Sequence, residues 1–252
     1  MAVILLALSI LPVLLLMVYI YRQDKYQKEP IKSLAKAFIG GMLAIPLDLL
    51  IVSLLNTIFY SNTVFYSAFL EAGFCEELSK MLIFLIFIWR DKNFDEYMDG
   101  IVYATFIGLG FACVENILYV FGAASESLGA GIGTSIVRAL LSIPGHFLFG
   151  IALGYFLSMA KFGKKEFGQA IFGLFLAATL HGLFDWLLMA SDALGEGIGA
   201  ILYVAFLVGD FYLWKLGIKY IKKQQENSRL QAEANNQVSE PEHIDWNAGF
   251  KN

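Results

Sequence analysis

Glu76, Glu77 and Lys80 stand near the middle of an apolar run covering 65–89. A run of that length has the reach of a membrane-spanning helix. An acidic or basic side chain at the bilayer centre costs roughly 2.5–3.5 kcal/mol, so three within five positions demand a compensating use. On an α-helix Lys80 falls in the angle between the two carboxyls, about 40° from Glu76 and 60° from Glu77, and reaches either one. Two carboxyls so close do not both ionise cheaply. With Lys80 beside them they are expected to behave as one coupled, poised proton acceptor.

Other residues suited to proton transfer lie in later apolar runs. His181 and Asp185 are four apart, on one helical face, so the carboxylate can orient the imidazole or share its proton. Phe111 and Glu115 repeat that spacing, and Asn116 adds an amide able to donate a hydrogen bond. His146 follows Pro144-Gly145, where a missing backbone N–H and a flexible glycine are expected to loosen the helix.

The elements that must position these groups are membrane helices. The chain is 58% hydrophobic and 16% charged, with mean hydropathy +0.64 and 22 Phe, which excludes a soluble globular domain. Apolar runs at about 2–21, 34–59, 65–89, 97–121, 132–160, 167–190 and 198–221 predict an all-α polytopic bundle of about seven transmembrane helices. The second contains Pro46 and Asp48 and is expected to kink and turn that carboxyl inward. The stretch 122–133, rich in Gly and Ser, reads as a loop. Lys and Arg outside the runs concentrate at 22–36, 90–92, 161–165 and 215–223, alternate links that therefore share one side, while the other links carry none. The positive-inside bias makes that side cytoplasmic, with the N-terminus outside and the C-terminus inside. Residues 1–223 then form one membrane-embedded domain, with a motif core at 34–188, and 224–252 a polar, largely disordered cytoplasmic tail beginning in a short helical extension. With helix directions fixed, Glu76, Glu77 and His146 fall near the midplane and Glu115, His181 and Asp185 in the outer half. One polar site opening outward is expected.

Glu76-Glu77-x-x-Lys80, Phe111-x-x-x-Glu115-Asn116, Pro144-Gly145-His146 and His181-x-x-x-Asp185, in this order on successive spans, resemble the PrsW family of bacterial intramembrane proteases. That family is similar in turn to the CAAX prenyl endopeptidases, whose chemistry is a glutamate-activated water. The resemblance implies a multi-pass protein of the bacterial cell membrane. It implies a glutamic-type endopeptidase making the first, site-1 cut in a single-span substrate such as an anti-sigma factor, on the extracytoplasmic side. The prenyl endopeptidases have histidine where Glu115 stands and asparagine where Asp185 stands, so a donor there becomes an acid here. Glu76 is accordingly read as general base, with Glu77 and Lys80 setting its protonation state. His181 oriented by Asp185, and His146 or Asn116, are candidates for stabilising the oxyanion.

Blander readings compete. Lys80 also fits a neutralising partner that lets the helix insert, and lone core histidines are more often merely satisfied. Glu71 and Arg138 are expected to pair as a structural salt bridge, and Cys75 and Cys113 to be small core residues. A catalytically silent scaffold of the same fold and a proton-coupled transporter are the alternative functions, although matched half-repeats are missing. No cofactor is expected. Zinc on His146, His181 and carboxylates ranks lower because no HExxH pair is present. The partners expected are the substrate and the lipid bilayer, with no nucleic acid.

Overall fold

The structure, a computed structural model, describes residues 2–163 and 166–239. Among the described residues its regular elements are all helices: α1 (Ala2–Gln23), α2 (Ile31–Ile58), α3 (Val64–Tyr66), a π-helix (Ser67–Glu76), α4 (Glu77–Phe87), α5 (Tyr97–Glu126), α6 (Leu128–Leu140), α7 (Ser142–Phe162), α8 (Glu166–Ala193) and α9 (Gly195–Ser239). Among the described residues six stretches are long and apolar enough to cross a membrane: α1, α2, α5, the α6–α7 pair, α8 and α9. The run holding Glu76 continues from α3 through the π-helix into α4 and carries too many charges to count among them. The fold class is the expected all-α polytopic membrane bundle.

α5 is its axis. Its membrane window is 78% buried, against 17–56% for the others, because small residues let neighbouring backbones approach. A Cβ on Gly154 of α7 would lie 2.2 Å from the Gly100 carbonyl of α5, so only glycine permits that crossing. Most of the remaining apolar surface faces outward, as in Leu49, Leu50 and Ile201, which suits a lipid solvent rather than water. The basic links gather at one end. There Gln27 donates to Asp95, Lys36 pairs with Asp91, and Lys161 donates to the Trp89 and Phe94 carbonyls.

Three local expectations change. The stretch 122–133 is helical apart from Ser127, whose hydroxyl accepts from the Ala130 N–H at 3.0 Å and starts α6, so one residue does the work expected of a loop. The helix breaks at Leu141 rather than at Pro144-Gly145. Pro144 sits in the first turn of α7, where its missing N–H costs nothing, and the interruption falls a turn earlier. α9 runs far past the apolar stretch, and Gln224 and Ser228 are fully buried: Ser228 Oγ accepts from Met98 N, and Gln224 donates to the Tyr155 carbonyl. The short helical extension expected there is thus docked against the bundle as far as Ser239, and the rest of the tail, 240–252, lies outside the described residues. α2 is one helix across Pro46, with Asp48 buried as expected.

Candidate active site

The π-helix carries the site into position. Its i→i+5 pattern widens the turn, a geometry met mostly at functional sites. Gly73 is pressed against α8, since a Cβ there would lie 2.6 Å from the Ala178 carbonyl. Gly182 answers from α8, where a Cβ would meet Phe69 at 2.5 Å. This contact sets Glu76 and Glu77 opposite His181 and Asp185.

Lys80 is the hub. Its ammonium lies 2.9 Å from Glu77 Oε1, 3.1 Å from Glu76 Oε2 and 3.1 Å from His146 Nδ1, and 4.1 Å over the Phe111 ring. The reach to both carboxyls expected from helical geometry is met. Glu77 is buried and also bonds His181 Nδ1 at 3.1 Å, leaving Oε2 without a hydrogen-bond partner. His181 Nε2 faces Asp185 Oδ2 at 3.4 Å and Glu76 Oε2 at 4.0 Å, and its ring stacks on Phe149. Asp185 is therefore one of two carboxylates orienting this imidazole, and Glu77 is the nearer.

His146 Nε2 lies 2.9 Å from Glu115 Oε2, which also receives Arg138 Nη2 at 2.6 Å. The expected Glu71–Arg138 bridge is absent among the described residues: Glu71 takes a hydrogen bond from Asn56, and Arg138 belongs to the polar site. The sequence signal for Arg138 was its position inside an apolar run, the same signal that marked Lys80. Asn116 is fully buried, donates to the Ser9 carbonyl at 2.9 Å and accepts from Arg138 Nε at 3.0 Å. One of its two amide hydrogens is thus bonded to α1, and its carbonyl oxygen holds Arg138 in place. Cys75 and Cys113 are buried thiols, as expected.

A cavity of about 550 Å³ is walled by Glu115, Arg138, His146, Phe149, His181 and Asp185, and continues to Ser191, Asp192 and Tyr203. It faces the end of the bundle opposite the basic links. Glu76 is not in its wall but lies behind His181, with a side chain 12% exposed. Glu76, Glu115, His146 and His181 thus converge in one network joined through Lys80.

A sequence profile described as "PrsW family intramembrane metalloprotease" matches residues 29–210. The chain belongs to the PrsW family. "Protease PrsW" of Clostridioides difficile is 33% identical over 88% of this chain and 92% of its own length. "Protease PrsW" of Bacillus subtilis is 32% identical over 88% of this chain and 96% of its own. No solved structure matches. Family and fold together make this an intramembrane protease, multi-pass in a bacterial membrane.

The PrsW description names a metal, and by type the donors are present. Glu76, His146 and His181 each bring one ligand atom within 4.8 Å of the others, a set of the kind that holds hydrolytic zinc. Their surroundings do not fit it. Lys80 touches both Glu76 and His146, so a dication there would lie against a buried ammonium, and both His146 nitrogens are engaged, one by Lys80 and one by Glu115.

Proposed function

We propose that this protease cleaves a peptide bond of a single-span membrane protein using water activated by Glu76, without a resident metal. The observation that carries the reading is the division of the acids. Glu77 is fixed by Lys80 and His181, and Glu115 by Arg138 and His146, whereas among the described residues Glu76 has Lys80 as its one hydrogen-bond partner. It is the least committed of the three glutamates in this network, and its Oε2 looks across 4.0 Å to His181 at the cavity wall. Glu76 takes the water proton. His181, held by Glu77 through Nδ1, keeps its Nε2 at a loose 3.4 Å from Asp185 and is the imidazole able to turn that N–H to the developing oxyanion, while His146 stays bonded between Lys80 and Glu115 and positions them.

The cavity opens at the end without Lys or Arg links, which the positive-inside bias places outside the cytoplasm. This supports a cut on the extracytoplasmic side, as for the site-1 cleavage of an anti-sigma factor. The N-terminus is then outside and the C-terminus cytoplasmic.

Purified protein in liposomes is expected to cut a single-span reporter near its outer boundary, and Glu76→Gln to abolish cutting while still inserting. Cleavage by that variant would remove Glu76 as base. The donor set and the family description favour one second reading, a zinc centre at Glu76, His146 and His181. Exhaustive chelation is expected to leave cleavage intact; loss restored by zinc would establish the metal reading instead.

A further inference from the structure

Four carboxyls meet at the basic end of the bundle, along α5 from the network around Lys80. Asp24 ends the first helix, Glu29 precedes α2, and Glu96 and Asp99 open α5; all four are at most 6% exposed. Asp24, Glu96 and Asp99 each offer one oxygen within 4.8 Å of the others. Part of each group is satisfied locally. Asp24 Oδ2 accepts from Glu29 N at 3.2 Å, Asp99 Oδ2 from Asp95 N and Glu96 N at 2.9 and 2.7 Å, Glu96 from the Asp99 backbone, and Glu29 Oε2 from the Tyr103 hydroxyl.

What remains is unusual. Asp24 Oδ1, Glu96 Oε1 and Asp99 Oδ1 are buried without a hydrogen-bond partner. Among the described residues none of the four carboxyls makes an ion pair, for Lys28 is turned to the Tyr21 and Asp24 carbonyls and Lys161 to those of Trp89 and Phe94. Buried carboxyls left in this state either share protons with one another or coordinate a cation, and the experiment below separates the two.

We propose that Asp24, Glu96 and Asp99, with Glu29 beside them, bind a hard divalent cation of the magnesium, manganese or calcium class. The donors are all oxygen, the preference of such ions, and no imidazole or thiolate that would favour zinc is among them. The ion joins the link after α1 to the start of α5, the helix that carries Glu115. This site is separate from the proposed catalytic centre, and its failure would leave the reading of Glu76 untouched.

The test uses the whole chain in detergent, stripped with chelator, and manganese as probe, with loss of the free Mn²⁺ paramagnetic resonance signal as readout. One ion per chain is expected to bind. Asp24→Asn and Glu96→Gln should each weaken binding by about tenfold or more, because affinity in such sites follows the charge of the ligand set. Glu76→Gln should leave it unchanged. Asp24 lies between helices, so its variant reports even where a substitution in α5 disturbs folding. No uptake by the wild type at Mn²⁺ or Ca²⁺ on the order of 1 mM, undiminished uptake by folded Asp24→Asn, or loss in Glu76→Gln would each overturn the assignment.

Discussion

Replacing Lys80 by methionine removes a cation that three groups share while keeping the length of the side chain. Lys80 and Glu77 are both nearly inaccessible, and the ammonium lies 2.9 Å from Glu77 and 3.1 Å from Glu76. At an effective dielectric of 20 each contact carries about 5.5 kcal/mol of Coulomb attraction, most of it offset by the cost of bringing the charges out of water. Deleting one partner of a buried pair leaves the other uncompensated and typically costs about 3–5 kcal/mol. For a chain of this size that is a fall of about 6–20 °C in the melting midpoint. Intrinsic tryptophan fluorescence in detergent at a fixed scan rate would measure it. Lys80→Met combined with Glu77→Gln is expected to recover much of the loss, since the stranded charge goes with its partner. An unchanged midpoint in Lys80→Met, or a double variant as unstable as the sum of the two singles, would refute Lys80 as the electrostatic centre.

Two further outcomes follow from the same geometry. Gly182→Ala drives a methyl group into Phe69, so the π-helix and α8 must separate; about 1–3 kcal/mol of stability should be lost, and cleavage should fall about a hundredfold as Glu77 and His181 move apart. Wild-type cleavage by that variant would show that the contact does not set the site. Arg138→Met leaves Glu115 with His146 alone and should lower the melting midpoint more in the wild type than in a Glu115→Gln background, where no carboxylate is stranded.

The membrane bundle and most members of the polar cluster were legible because a charge inside an apolar run is conspicuous. Glu76, Glu77, Lys80, Glu115, His146, His181 and Asp185 were all found by that rule, and they meet. Pairing was less legible, for the same rule marked Arg138 but assigned it to Glu71, because shared depth does not reveal which neighbouring helices face each other. The π-helix left no sign that a reading at 100° per residue could detect. It accompanies the close approach of Gly73 and Gly182, residues distant in sequence. The helical extension past 223 was expected, but its docking was not, because its surface is polar. It is held by hydrogen bonds such as Ser228 to Met98 N, which composition does not encode.

Charge balance in the cluster bears on the chemistry. Glu76, Glu77, Glu115 and Asp185 could carry four negative charges, against the fixed positive charges of Lys80 and Arg138. Neutrality in a low-dielectric setting then requires two further protons; His146 is bonded at both nitrogens, its Nδ1 accepting from the Lys80 ammonium, so His181 and the carboxyls themselves are the groups able to hold them. Peptide hydrolysis needs one proton drawn from water and one delivered to the leaving amine. A network that holds two exchangeable protons among imidazoles and acids can make both transfers without a net change of buried charge. That is a physical reason for so many ionisable side chains to share one site within a membrane, and for Glu76, the glutamate with fewest hydrogen bonds in the cluster, to be where the transfer begins.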